Sequence, residues 1–334
     1  MTATSEFHYD LPEAAIAQEA IEPRHAARLL DTRTMADHRF IDLPGLLEPG
    51  DLVVVNRTRV RRARLAARRP TGGAVEVLLL RGIAGGRWEA IAKPTRRLRA
   101  GSELLFGDLT GRLVADPIGG RIVLEADGDL ALLAESLGEI PLPPYFTGKL
   151  DDPGRYQTMF ADQIGSAAAP TAGLHFTEEV TIGLAQRQIG IERIELEVGL
   201  DTFQPITTAS LDDHEMHSER IEVDSSTLDR IEATRRDGGR VVAIGTTVVR
   251  ALETAAATGK LIPTSETTSL FIRPGFTFRV VDLVVTNFHV PGSTLVVLVA
   301  AMLGERWREI YTEALDRGFR FLSFGDAMLI EVAR

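Results

Sequence analysis

The chain has 334 residues, no cysteine, 44% hydrophobic and 25% charged residues, and a formal net charge of −10. At ~150 residues per domain this suggests two ordinary globular domains. The composition excludes a disordered chain or a fibrous repeat, and the missing cysteines exclude a disulfide framework, a thiolate metal site and a cysteine nucleophile.

Met1-Thr2-Ala3-Thr4-Ser5-Glu6 has neither the basic nor the apolar region of a signal peptide. A helix is expected near Pro12–Ala20, and the apolar run Leu52–Val55 reads as a strand. From Val60 to Gly128 the pattern is short strands broken by glycine turns: Val60–Ala67, Ala74–Leu80, Trp88–Ala92, Glu103–Phe106, Gly111–Ala115 and Arg121–Glu125. Six short strands at this spacing predict a small closed barrel. Seven arginines and no acid lie between Arg57 and Arg69, with Arg96, Arg97 and Arg99 further on. Such a patch attracts phosphate even on an acidic protein; the alternative is the solvated face of a strand.

Strands alternate with helices beyond Gly165. Thr177 is placed to cap a helix running to Gln188 and stopping at Gly190, followed by an alternating strand Ile194–Val198. A helix over Ser226–Asp237, a strand Val241–Ile244 and a helix Val248–Ala257 come next. Then follow a strand Val280–Val285, a helix from Ser293 or Thr294 to Leu303, a helix Glu305–Arg317 and a strand Phe319–Phe324. This predicts an α/β domain with a mainly parallel sheet or open barrel-like form, residues 1–59 and 141–334, interrupted by an antiparallel six-stranded β-barrel over residues 60–140. The longest apolar stretch, Leu295–Leu303, is far short of the ~20 residues that span a bilayer, so a cytoplasmic chain without a membrane segment is expected.

Ligands of α/β sheets gather beyond the carboxyl ends of the strands, and four polar motifs fall at or near such places. Pro170–Thr177 is a small-residue loop leading into a helix, with Thr171, Gly173 and His175. Gly245-Thr246-Thr247 opens a helix bearing Arg250 and Glu253, a fair anion site without a Walker lysine. Thr286–Thr294 sets Asn287, His289 and Ser293 after an apolar strand. His214-Glu215-Met216-His217-Ser218-Glu219 offers a carboxylate–histidine proton relay or a two-histidine metal site. The competing reading of each is structural: a buried histidine in a turn, an i,i+3 surface pair of Arg250 with Glu253, a helix cap at Ser293.

Seven segments, in order, resemble one family. They are Ile140-Pro-Leu-Pro-Pro-Tyr145, Arg155-Tyr-Gln-Thr158, Ala169-Pro-Thr-Ala-Gly-Leu-His-Phe-Thr-Glu178, Met216-His-Ser-Glu219, Gly245-Thr-Thr247 with Arg250, Thr286-Asn-Phe-His289 and Gly325-Asp-Ala-Met328. From about Phe7 to Ile330 the chain is similar to the S-adenosylmethionine:tRNA ribosyltransferase-isomerases of queuosine biosynthesis. The resemblance implies a monomeric enzyme that takes S-adenosylmethionine as ribosyl donor and tRNA with a GUN anticodon as acceptor. The acceptor group is the aminomethyl-deazaguanine at the wobble position. The products are epoxyqueuosine-tRNA, adenine and methionine, with no metal and no further cofactor. His175, His217, Glu219 and His289 are then candidates for proton transfer. Thr171, Gly173, Thr246, Thr247, Arg250, Asn287 and Ser293 are candidates for substrate binding, and Arg59, Arg61, Arg62 and Arg64 for RNA. The family's pattern changes here at Arg57, Asp201, Gln204 and Gly292, where charge differs. These changes leave two other readings: a noncatalytic RNA-binding relative, or a transferase acting on another nucleobase. A metal hydrolase using His214 and His217 is a third reading of the residues alone.

Overall fold

A computed structural model of the chain describes residues 2–148, 150, 152–199, 202 and 204–333. Its strands begin with β1 (Arg28–Asp31), β2 (Ala36–Arg39), β3 (Leu52–Asn56), β4 (Thr58–Val60), β5 (Arg64–Arg68) and β6 (Ala74–Ile83). Next are β7 (Arg87–Lys93), β8 (Glu103–Phe106), β9 (Leu109–Leu113), β10 (Arg121–Ala126), β11 (Gln163–Ser166) and β12 (Gly190–Leu196). The last are β13 (Glu219–Val223), β14 (Val241–Ile244), β15 (Thr264–Thr268), β16 (Leu283–Asn287) and β17 (Ala327–Glu331). The helices are α1 (Leu43–Leu46), α2 (Leu130–Leu137), α3 (Glu178–Gln186), α4 (Ser225–Arg236), α5 (Thr246–Ala255), α6 (Thr294–Leu303) and α7 (Arg306–Asp316). Two compact units result: Met1–Arg59 with Pro143–Arg334, and Val60–Leu142.

The first unit is built on a nine-stranded sheet ordered β15-β13-β12-β3-β14-β16-β17-β1-β2. Pairs β12–β3, β3–β14, β14–β16 and β17–β1 are parallel. Pairs β15–β13, β13–β12, β16–β17 and β1–β2 are antiparallel. The sheet is therefore mixed in equal parts rather than mainly parallel. Its central strands read as unbroken apolar runs because both faces are covered. Along β3, Leu52 and Val54 enter the core that α5, α6 and α7 close, while Val53 and Val55 enter the opposite core with α3. Val241 and Ala243 of β14 alternate with Val242 and Ile244 in the same way.

The second unit is a closed barrel ordered β10-β7-β6-β5-β8-β9. Leu65 and Ala67 of β5, Val75, Val77 and Leu79 of β6, and Leu104 and Phe106 of β8 fill its interior. Alternation along β5 leaves Ala66 and Arg68 exposed. Asp129 caps α2 by accepting from the N–H groups of Ala131 and Leu132, and Leu130 and Ala134 of that helix join the barrel core.

Several expected elements differ. Pro12–Ala20 yields only a single helical turn at Glu13–Ala15, and Phe319–Phe324 is not a strand. The two errors share a cause: these segments run beside each other, with Ile16 bridged to Phe321 and the Ala17 N–H donating to the Phe321 carbonyl. Leu322 at φ 70 and the tight turn at Gly325 then bend the chain, and the ladder begins only at Ala327. A Cβ on Gly325 would lie 2.4 Å from the Arg320 carbonyl oxygen. After α3 the left-handed position is taken by Gln188 (φ 59), so Gly190 opens β12 instead of closing the helix. The expected strand Val280–Val285 starts later, because the Glu253 carboxylate collects the N–H groups of Arg279, Val280 and Val281. That carboxylate is buried and is not the surface partner of Arg250.

Candidate functional site

A cleft opens in the first unit beyond the carboxyl ends of β12, β14 and β16, lined in part by Val198, Gly245–Thr247 and Thr286–Val290. Ala169–Ala172, Tyr145, Leu322 and Ser323 also line it. Gly245 adopts φ 92 at the N-cap of α5, a conformation that glycine takes at no steric cost. Among the described residues the N–H groups of Thr246 and Thr247, in the first turn of α5, have no partner, an arrangement that favours an anion. The Thr247 hydroxyl is buried and has no hydrogen-bond partner among the described residues.

Asn287 anchors the opposite wall. Its Oδ1 accepts from Thr171 Oγ1 at 2.8 Å, which fixes the amide so that Nδ2 donates to the Asp326 carbonyl and to His175 Nε2, each at 3.3 Å. His175 stands behind Asn287, and its ring lies 5.0 Å from that of Phe40. Burial, with Arg320 nearby, pushes its pKa down to about 4. Gly173, in the same turn, packs against Thr158, where a Cβ would meet Cγ2 at 3.0 Å. His289 lines the cleft directly, with Nε2 2.9 Å from Thr286 Oγ1, and burial pushes its pKa down to about 3. Both imidazoles are neutral at physiological pH. Ser293 lines the cleft and caps α6 through Val296 N–H.

His217, Glu219 and Arg250 form a second cluster that meets the cleft through Thr202. Thr202 lines the cleft and places Oγ1 2.9 Å from Glu219 Oε1 and 3.1 Å from His217 Nε2. Glu219 also accepts from Gly199 N–H at 2.9 Å and from Arg250 Nη1. Burial alone would raise the Glu219 pKa, but the Arg250 guanidinium and the His217 ring bring it down to about 2. Arg250 is 3% exposed, donates Nε–H to the Leu270 carbonyl and spends its charge on Glu219; it does not line the cleft. The predicted residues are therefore layered. Thr171, Thr246, Thr247, Asn287, His289 and Ser293 form the wall, while His175, Glu219 and Arg250 are buried away from it and His217 is half-buried beside Thr202. Sequence reasoning missed Tyr145, Thr202, Thr286 and Ser323. Tyr145 ends the Ile140–Tyr145 segment, which by itself gives it no role, and Ser323, whose hydroxyl is 2.5 Å from that of Tyr145, carries no local pattern that marks it.

His214 packs edge-on against Phe271, and among the described residues no group of three or more His, Asp or Glu side chains is placed to hold a metal ion. Among the described residues no helix is long and apolar enough to cross a membrane. Of the altered positions, Arg57 pairs with Glu195 at 2.6 Å, and Gly292 (φ 67) leaves room for the His8 ring, whose Nε2 lies 2.4 Å from where a Cβ would be. Asp201 lies outside the described residues.

The arginine run divides by environment. Arg59 is exposed on β4 between buried Thr58 and Val60. Arg61 places its guanidinium 5.1 Å from the centre of the Trp88 ring. Arg62 is exposed and donates Nε–H to the Gly138 carbonyl at 2.8 Å, while Arg64 lies 3.8 Å from Glu76.

Residues 4–330 match the family model described as queuosine biosynthesis protein. The chain is 48% identical over 337 residues to the S-adenosylmethionine:tRNA ribosyltransferase-isomerase of Symbiobacterium thermophilum, covering 98% of this chain and 99% of that one. It also resembles the crystal structure of S-adenosylmethionine tRNA ribosyltransferase from Thermotoga maritima. That likeness has a TM-score of 0.57 and 36% identity, over 98% of this chain and all of the other.

Proposed function

This chain belongs to the queuosine biosynthesis protein family, and on that premise we propose that it is an S-adenosylmethionine:tRNA ribosyltransferase-isomerase. The acceptor in this reading is the aminomethyl-deazaguanine at the wobble position of a GUN-anticodon tRNA. The ribosyl unit of S-adenosylmethionine becomes the epoxycyclopentanediol of epoxyqueuosine, and adenine and methionine leave. No metal or resident cofactor takes part, and the enzyme works as a cytoplasmic monomer.

The observation that carries this reading is the cleft wall itself. An uncapped helix N-terminus with Thr246 and Thr247 stands with the fixed amide of Asn287 and the neutral imidazole of His289. A carboxylate such as that of the methionine moiety suits the first turn of α5. Asn287 and Thr171 suit a ribose hydroxyl or a base edge, with Ser293 beside them. Gly173 and His175 hold that wall in shape, and Arg250 acts through Glu219. Proton transfer falls to His217 with Glu219 and to His289. Arg59, Arg61, Arg62 and Arg64 supply local positive charge for tRNA phosphates on a chain whose net charge of −10 repels RNA.

Calorimetry with S-adenosylmethionine alone tests the reading. The enzyme binds it saturably, and Thr247→Val weakens that binding. A folded protein that binds tRNA but shows no S-adenosylmethionine site is instead a noncatalytic RNA-binding relative.

A further inference from the structure

Thr202 links the cleft wall to the buried charges of Glu219 and Arg250, and its hydrogen bonds can be counted. A hydroxyl carries one hydrogen and two acceptor lone pairs. Thr202 Oγ1 has two neighbours, Glu219 Oε1 at 2.9 Å and His217 Nε2 at 3.1 Å, and it cannot donate to both. Glu219 can only accept: Oε2 is ion-paired with Arg250, and Oε1 already takes the Gly199 N–H at 2.9 Å. The Thr202 hydrogen therefore goes to Glu219, and its oxygen accepts from His217. Nε2 of His217 must then carry a hydrogen. The same N–H faces Glu219 Oε1 at 3.5 Å, where a bare nitrogen lone pair would be repelled by the carboxylate. In a neutral imidazole the remaining lone pair is on Nδ1.

The other two histidines differ. His175 Nε2 accepts from the Asn287 amide, whose orientation Thr171 and the Asp326 carbonyl fix, so its lone pair is already engaged. Among the described residues His289 has no carboxylate beside it, and burial disfavours its protonated form. His217 has an ionised carboxylate within 3.5 Å to stabilise an imidazolium. Among the described residues the charged and titratable groups around it are Glu219, Arg250 beyond Glu219, and His214.

We propose that Thr202 is a positioning residue that holds His217 in the Nε2–H tautomer, which makes Nδ1 the ring atom that accepts any proton His217 takes up in the reaction. In that step a substrate X–H bond breaks, its hydrogen bonds to Nδ1, the electron pair stays on X, and the imidazolium is stabilised by Glu219. The second half of the proposal rests on the transferase reading; the tautomer is a property of the protein alone.

Histidine-selective 15N labelling separates the two halves. Long-range 1H–15N spectra of the ligand-free protein at pH 8, with His217→Gln to identify the resonances, should show the Nε2–H pattern for His217. An Nδ1–H pattern would overturn the proposal whatever the enzyme's activity. In turnover, Thr202→Val should lower kcat on the order of 100-fold, the lower end of a general acid–base contribution. KM for S-adenosylmethionine should change less than about threefold in that variant, since catalysis and not binding is affected. Thr202→Ser keeps the hydroxyl and should restore most of kcat and the wild-type tautomer. A serine variant as impaired as the valine one would show that Thr202 acts by packing and would contradict the proposal. If the valine variant does not fold, the wild-type spectrum and the serine variant still decide.

Discussion

Replacing Glu219 with Gln should destabilise the α/β unit by about 3–5 kcal/mol at pH 7, the usual cost of stranding one charge of a buried ion pair. The structure gives the figure a second route. Glu219 falls from its ordinary 4.5 to about 2, against the burial that would raise it. That fall corresponds to about 3 kcal/mol of stabilisation in the ionised form. The amide cannot take the charge of Arg250, which is 3% exposed and has no other carboxylate within ion-pair distance among the described residues. The sign with pH follows from the depressed folded value. The contribution is fully present above about pH 4.5 and is lost as pH falls toward 2. The gap between wild type and Glu219→Gln should therefore close over that interval. The two tryptophans suit the assay: Trp88 lies in the barrel unit and Trp307 is buried in the α/β unit, so a Trp88→Phe background makes Trp307 the reporter during urea unfolding. Adding Arg250→Met should recover at least half of the loss, since removing both partners of a buried pair is often close to neutral. A loss below about 1 kcal/mol at pH 7, or a gap unchanged from pH 5 to pH 2.5, would refute the buried-pair argument.

Burial holds His175 near 4 and His289 near 3, so neither changes charge between pH 5 and 8. Any kcat/KM limb in that range should survive in His175→Gln and His289→Gln; its loss in either variant would contradict the burial argument. At Gly245 a Cβ would make only ordinary contacts, 3.5 Å to Thr247 Oγ1 and 3.6 Å to the Ala172 Cβ, but φ is 92, so Gly245→Ala should cost about 1–3 kcal/mol in urea unfolding, mainly from the backbone. At Gly292 a backbone cost adds to a clash with His8; Gly292→Ala should be partly rescued by His8→Ala, and no rescue would mean the ring gives way freely. Replacing Arg61, Arg62 and Arg64 together by Ala should weaken tRNA binding and flatten its salt dependence by roughly 0.7–0.9 in slope per lost phosphate contact. An unchanged slope would leave these arginines as a solvated strand face.

The barrel strands and the helices flanking β14 and β16 were legible because alternation, glycine turns and cap residues act within a few residues of one another. Arg121–Glu125 and Val241–Ile244 illustrate this, each lying within one residue of the observed strand. Edge strands were not legible. In β2 and β15 most side chains face solvent, so no apolar period marks them. Phe319, Phe321 and Phe324 misled because all three are buried without a ladder: long-range packing beside Ile16 replaced strand pairing. At the site, residue types that carry chemistry stood out, but their depth did not. Nothing local to Arg250 says that its partner is Glu219, 31 positions earlier, and not Glu253 on its own helix. Thr202 is visible only once β12 and β13 bring Gly199 and Glu219 together.

The most direct test of the account uses S-adenosylmethionine labelled with carbon-14 in the ribose and tRNA carrying the aminomethyl-deazaguanine, mixed with the purified full chain. Label should enter the tRNA one for one with released adenine and methionine, and the modified nucleoside should carry the epoxycyclopentanediol. Methyl transfer to the tRNA, or a folded protein that binds both substrates and releases no adenine, would contradict it.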